Sequence, residues 1–223
     1  MSMRTQELDL NVKYYRSEAI KSARTDRFKR LFDMIAALLG LVLVSPLLLV
    51  TAAAIKLEDP SGPVLYSQTR IGKNGRAFKM YKFRSMVRNA EKMIDQIAGK
   101  SDVSGAMFKM KDDPRVTRVG RWIRRTSIDE LPQFWNVLRG DMSMVGPRPP
   151  LPREVAAYRE YDLQRLSVIP GCTGLWQVSG RSSVGFEEMV ELDLQYIRKR
   201  SFWFDLLIIA RTVKLLFGSR NAF

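Results

Sequence analysis

Two adjacent carboxylates, Asp129 and Glu130, follow Ser127-Ile128 and precede Leu131-Pro132. Pro132 falls within the first turn or two of a helix, so the pair stands at a helix N-terminus. There, unpaired amides and the positive end of the dipole attract phosphate. Arg124 and Arg125 lie one turn or less before the pair. An anionic nucleophile beside cationic groups suits phosphoryl transfer. A plainer reading uses the same residues: Ser127 with Glu130 three positions on is a capping box, which only starts a helix. Both readings stay open on these residues alone. The other acidic pairs read as structural. Asp112-Asp113 run into Pro114-Arg115 as a turn or cap, and Glu187-Glu188 open a helix whose dipole favours them.

Gly146-Pro147-Arg148-Pro149 is a stiff loop. Its prolines restrict the backbone, so Arg148 has little freedom to lose on clamping a phosphate. Pro170-Gly171-Cys172-Thr173-Gly174 and Ser179-Gly180-Arg181 form a second glycine-bearing region whose amides suit a diphosphate, without Walker or Rossmann spacing.

Composition narrows the chemistry further. Histidine is absent, which removes Ser-His-Asp and Cys-His catalysis and every His-ligated metal. The single cysteine, Cys172, forms no internal disulfide or multi-thiolate site, and without a histidine base it reads as incidental. A required metal is then a hard, oxygen-ligated ion such as Mg²⁺. Lys+Arg 37 against Asp+Glu 23 gives a net charge of +14, which favours nucleic acid, an anionic lipid surface or phosphorylated substrates.

The elements around these residues choose among those partners. Met34 to Ile55 carries no charge over about 22 residues, long enough for a hydrocarbon core of roughly 30 Å. Ser45-Pro46 interrupts its middle, where proline removes a helical hydrogen bond and predicts a kink. Arg24, Arg27, Lys29 and Arg30 precede the run, and Lys56, Arg70, Lys73, Arg76, Lys79 and Lys82 follow it. A spanning helix would put one basic cluster on the outer side, whereas a re-entrant bend keeps both on the anionic cytoplasmic side. The re-entrant arrangement is favoured, with Ser45 or Thr51 satisfying freed backbone; a kinked single span and a buried soluble helix stay open. Ala52-Ala53-Ala54 resembles a signal cleavage site, but the preceding charged region is too long.

Residues 1–33 predict an amphipathic surface helix, and 64–86 a β-hairpin turning at Asn74-Gly75. A further helix is expected over 88–97. Arg115, Arg118, Arg121 and Arg124 recur every third residue, giving a basic helical edge that is either a solvated face or a contact for lipid headgroups or a phosphate. Helices over 186–199 and 202–217 follow, the second suited to docking at a membrane interface or against the re-entrant segment.

In this order, the motifs resemble those of the bacterial sugar transferases that start exopolysaccharide, capsule or O-antigen synthesis, the monotopic polyprenyl-phosphate phosphoglycosyl transferases. The likeness runs from Lys29 to Phe217. It rests on Ser45-Pro46, Tyr81-Lys82-Phe83-Arg84-Ser85-Met86, Asp113-Pro-Arg-Val-Thr-Arg118 and Ser127-Ile-Asp-Glu-Leu-Pro-Gln133. Asn136-Val-Leu-Arg-Gly-Asp-Met-Ser143, Gly146-Pro-Arg-Pro149 and Pro170-Gly-Cys-Thr-Gly-Leu-Trp-Gln-Val-Ser-Gly-Arg181 complete it.

The resemblance implies an α+β fold: a mostly helical monotopic membrane protein with a re-entrant helix-break-helix bent at Ser45 and Pro46, interfacial amphipathic helices and a small β-hairpin. Residues 1–28 form the lead, 29–57 the re-entrant helix and 58–223 a catalytic domain at the cytoplasmic face of the inner membrane, the minimal catalytic form of the family. It implies transfer of a sugar 1-phosphate, with a lean toward hexose, from a UDP-sugar to polyprenyl (undecaprenyl) phosphate, releasing UMP. Asp129 is then the nucleophile of a phosphosugar–aspartyl intermediate, Glu130 assists, and both are metal ligands to Mg²⁺. Lys82, Arg124, Arg148 and Arg181 match positions where the family handles phosphates or nucleotide. Membrane lipids are implied partners, nucleic acid is not, and a homo-oligomer stays open. Two competing readings are a membrane glycosyltransferase that releases UDP and a membrane-anchored nucleic-acid-binding protein.

Overall fold

The computed structural model describes residues 23–90, 93, 113–180 and 184–218. Residues 1–22 of the expected N-terminal lead and Arg181 lie outside these residues, while 23–28 of the lead run without a break into the first helix. Most of the helix expected over 88–97 also lies outside, and 88–90 form a turn.

Helix α1, Ala23–Glu58, contains Pro46 and at about 1.5 Å per residue reaches roughly 54 Å. Proline cannot donate to the carbonyl four residues back, that of Val42. Ser45 Oγ donates to it instead, at 2.8 Å. The helix therefore carries on through Ser45-Pro46, which corrects the expectation of two separate halves: any bend lies within one helix. Thr51 does not share this role, because its Oγ1 is buried with no hydrogen-bond partner.

Only a narrow stripe of α1 is covered. Asp33, Ala37, Thr51 and Ile55 are buried at helical spacing, while Leu38, Leu39, Val42, Leu43, Leu49 and Val50 are exposed. Ala37 packs with Met80, Val137 and Met142, and Ile55 with Phe83, Ile123 and Ile128. Burying a side chain the size of Ile55 is worth about 1.5–3 kcal/mol, and the Ala37 methyl about 0.8 kcal/mol, so both halves of the helix are tied to the same body.

Strands β1, Leu65–Ile71, and β2, Ala77–Phe83, pair antiparallel from Leu65↔Phe83 to Ile71↔Ala77. Asn74 (φ 57) and Gly75 (φ 78) take the left-handed conformations of their tight turn, as their types demand. The second strand stops at Phe83 rather than Met86 because the chain beyond it changes partner: the Ser85 carbonyl accepts from the Thr117 N–H at 3.1 Å and Met86 bridges to Val116.

Helix α2, Arg118–Arg125, is capped by Thr117 Oγ1, which accepts from the Gly120 N–H at 2.9 Å. Glu58, the last residue of α1, also accepts from the N–H groups of Arg118 and Val119. Arg115 is thus outside the expected basic helix; it is buried in a turn and paired with Asp113 at 2.6 Å. Asp113 takes the predicted turn role, accepting from the Arg115 N–H, and Asp112 lies outside the described residues. Val119 and Ile123 face the core, while Arg118, Arg121, Trp122 and Arg125 are exposed. A Cβ on Gly120 would come within 2.0 Å of the Ser85 carbonyl oxygen. Gly120→Ala is therefore expected to destabilise the protein by about 1–3 kcal/mol, read as a lower Tm.

Helix α3, Gln133–Arg139, receives the Arg30 guanidinium from α1 at the carbonyls of Val137 and Leu138. Strand β3, Ser143–Val145, pairs in parallel with β4, Gly171–Thr173. Between them lie the single turns α4, Pro152–Val155, and α5, Glu160–Leu163. Helices α6, Leu175–Ser179, α7, Phe186–Lys199, and α8, Phe202–Gly218, complete the fold. Glu187 and Glu188 occupy the first turn of α7 as predicted. Lys29 of α1 reaches Asp205 of α8 at 2.6 Å, and Asp33 accepts from the Met144 N–H in β3 at 3.1 Å.

Candidate active site

Asp129 and Glu130 occupy a 3-10 turn, Ile128–Glu130, between α2 and α3. The capping box does not form. Ser127 adopts the left-handed conformation (φ 57, ψ 17) and its side chain caps nothing. It reverses the chain after α2, and its carbonyl accepts from the Glu130 N–H at 3.2 Å. The carboxylates therefore stand in a turn ahead of α3 rather than at the first residues of a helix.

Ile128 anchors this turn in the apolar cluster with Phe83, Ile123 and Ile55, which sends neighbouring side chains to different environments. Asp129 is 7% exposed, while the Glu130 side chain is 46% exposed and accepts from Lys82 Nζ at 2.6 Å. Burial pushes the Asp129 carboxyl up to about 6. Lys82 and Arg124 pull it down and Glu130 pushes it further up. The structure thus brings together Asp129, Glu130, Lys82 and Arg124.

The position of Lys82 depends on a residue that simple charge reading passes over. Asn136, wholly buried on α3, accepts from the Tyr81 N–H at 3.0 Å and donates to the Lys79 carbonyl at 2.7 Å. Its amide pairs with β2 much as a neighbouring strand would, fixing Lys82 beside the acidic turn.

Arg148 sits in a loop whose four carbonyls from Pro147 to Pro150 are bonded. Pro147 O accepts from the Gly171 N–H at 2.9 Å and Pro150 O from the Ile71 N–H at 2.9 Å. Arg148 O accepts from Arg165 and Pro149 O from Arg70. The Arg148 guanidinium rests on Glu154 at 3.0 Å. Glu154 also accepts from the Leu151 N–H; burial opposes its ionisation, but these partners hold it below the usual carboxylate range.

Arg70 is the second residue that the sequence does not single out beyond its charge. It is buried, with Nε lacking a partner. Burial lowers it to about 10, helped by Arg148 and opposed by Glu154 and Glu130. Its electrostatic reach to both Arg148 and Glu130 links the loop to the acidic pair. Ser45 and Pro46 lie exposed on α1. Burial pushes the Cys172 thiol far up, so it supplies no thiolate.

Residues 24–219 match the model of a family described as bacterial sugar transferase. The chain belongs to that family. This bacterial sugar transferase is 47% identical over 189 residues to the galactosyl transferase CpsE of Streptococcus agalactiae serotype III, covering 84% of this chain and 42% of that protein. It is 40% identical over 205 residues to the undecaprenyl-phosphate galactose phosphotransferase of Salmonella typhimurium, covering 90% of this chain and 43% of the other. It is also 40% identical over 199 residues to the exopolysaccharide production protein ExoY of Rhizobium meliloti, covering 87% and 88%. The chain therefore spans less than half the length of the first two relatives and most of the third.

In this sugar transferase, a buried carboxylate faces two cations and leans on a second carboxylate. Such a site raises the basicity of the buried oxygen while keeping opposite charge ready for a phosphorylated ligand.

Proposed function

We propose that the chain transfers a hexose 1-phosphate from a UDP-sugar to polyprenyl (undecaprenyl) phosphate and releases UMP, as the first membrane step of surface polysaccharide synthesis. The observation that carries this reading is the buried Asp129 carboxylate set among Lys82, Glu130 and Arg124. An Asp129 oxygen attacks the β-phosphorus, the bond from that phosphorus to the bridging oxygen breaks, and UMP leaves with the electron pair. A phosphate oxygen of the polyprenyl acceptor then attacks the same phosphorus, and the Asp129 O–P bond breaks. The carboxylate is restored and a polyprenyl diphosphate sugar is formed.

Lys82, Arg124 and Arg148 supply charge for the diphosphate, with Arg181 as a further cation. Asp129 and Glu130 are the groups that would hold Mg²⁺, whose role when bound is to neutralise phosphate charge. Two adjacent carboxylates suit that ion, which characteristically completes its shell with substrate phosphates and water. Among the described residues no cluster of three acidic or sulfur ligands supplies an all-protein cage.

Incubation with a panel of UDP-sugars and polyprenyl phosphate is expected to release UMP. Release of UDP instead overturns the reading in favour of transfer of the sugar alone.

The reading places the protein in the inner membrane with both ends of α1 on the cytoplasmic side. Residues 27–58 are long and apolar enough to cross a membrane, yet Lys29 and Asp33 near one end and Glu58 at the other bind the same body. The exposed apolar residues around Pro46 are the part offered to lipid, which supports re-entry into one leaflet. Arg27→Cys and Ser61→Cys variants in sealed vesicles are expected to react with an impermeant thiol reagent from the same face. Labelling from opposite faces would establish a span. The unreactive Cys172 leaves little background.

A further inference from the structure

The Arg148 loop is held from behind by an ion pair that takes no part in the chemistry above. Arg165 lies in the 3-10 turn Gln164–Ser167 and Asp193 in the middle of α7. Arg165 Nη2 and Nε meet Asp193 Oδ2 at 2.6 and 2.8 Å, with side chains 1% and 0% exposed. Removing two charges from water costs several kcal/mol per ion, and well-packed apolar residues often serve the fold as well. Stability alone therefore gives a weak account of this pair.

The remaining contacts point to Arg148. Arg165 Nη1 donates to the Tyr158 hydroxyl at 2.6 Å, and Nη2 also donates to the Arg148 carbonyl at 3.3 Å. Asp193 Oδ1 is buried with no hydrogen-bond partner. After Arg165, the Arg148 guanidinium is the cation that favours the ionised form of this carboxylate. Arg148 is thus held at its carbonyl by a buried cation that is itself fixed by a buried anion. Arg70 holds the next carbonyl, that of Pro149, at 3.0 Å.

We propose that Arg165 and Asp193 are positioning residues that fix the main chain of Arg148, and through it the direction of its guanidinium toward a phosphate of the donor or acceptor. The assignment rests on the phosphoryl-transfer reading. A planar, forked cation in a restricted loop is sensitive to such placement, since a displacement of about 1 Å in an active site can cost about 10²-fold in rate.

The test replaces the pair by apolar residues of similar size, Arg165→Met with Asp193→Leu, in the full chain. Thermal unfolding is expected near that of the parent, while exchange at the Arg148 amide rises about tenfold or more and kcat falls by about 10–10². Adding Arg148→Ala to this background is expected to cost less than about threefold, against about 10² in the parent, because the guanidinium is already misplaced. If the double variant does not fold, Arg165→Lys undergoes the same measurements: it keeps the charge beside Asp193 but loses the fork that reaches Arg148.

In a folded variant, unchanged exchange at the Arg148 amide overturns the proposal, as does an undiminished cost of Arg148→Ala. If the parent itself releases no UMP from any donor, the reaction reading falls, and the exchange measurement still decides whether the pair positions Arg148.

Discussion

Asp129→Asn is expected to lower UMP release by at least about 10³-fold, because the amide keeps the shape of the side chain and removes its nucleophilic oxygen. Two further results separate this from loss of folding. In the parent, turnover is expected to fall at low pH as the Asp129 carboxyl, lifted by burial to about 6 before any cation binds, takes up a proton and can no longer attack, with bound Mg²⁺ moving the midpoint down.

The second result concerns stability. A carboxyl whose folded value lies above its ordinary 3.8 adds most to stability at low pH, and that contribution is lost as pH rises through about 6. Asparagine cannot ionise, so at pH 8 the variant is expected to be more stable than the parent, by up to about 3 kcal/mol. The difference should vanish below about pH 4. A variant that is inactive yet melts lower at pH 8 would show that Asp129 is held by contacts its amide cannot keep. Retained turnover would defeat the nucleophile assignment outright.

Arg148→Ala is expected to cost about 10² in kcat/KM, the usual loss of one preorganised charged donor, and Arg148→Lys to recover little of it. The carbonyls from Pro147 to Pro150 are each bonded to a fixed partner, so a point charge on a flexible stem cannot reproduce the planar fork. The fold should tolerate the change, because Glu154 keeps the Leu151 N–H and the nearby charge of Arg70. Steady-state kinetics beside thermal unfolding checks both halves. A lysine variant within threefold of the parent would mean that Arg148 acts only as diffuse positive charge.

What could be read from the chain divides by the range of the interaction. The Asn74-Gly75 turn and helices α7 and α8 were legible because their signals are local: left-handed turn residues and helical periodicity. Asp129 stood out for its neighbours, a second carboxylate and two arginines. The continuity of α1 through Pro46 was not legible, because it turns on one rotamer: Ser45 Oγ takes up the carbonyl that proline orphans. Ser127 was misread because a capping pattern and a left-handed reversal share the same residues, and the packing of Ile128 selects the reversal.

Strands β3 and β4 are three residues each and far apart in sequence, too short to show alternation. Lys82 was legible from charge only as part of the basic flank after the apolar run; its place at a phosphate entered through family resemblance, since a lone lysine in a strand has no pattern of its own. Arg70, Arg165, Asp193 and Asn136 were missed for one reason: polar residues are read as solvated, and these four are buried.

The bond from Glu58 to the amides that open α2 has a consequence for where the reaction takes place. The last residue of α1 holds the first turn of the segment that leads into Ser127 and Asp129, and Ile55, Ile123 and Ile128 lock the same joint from within. The apolar helix and the Asp129 carboxylate thus share a single fulcrum. In the arrangement proposed, the elevation of the reacting oxygen above the lipid is a dimension of the polypeptide, matched to an isoprenoid headgroup that can travel sideways but not upward.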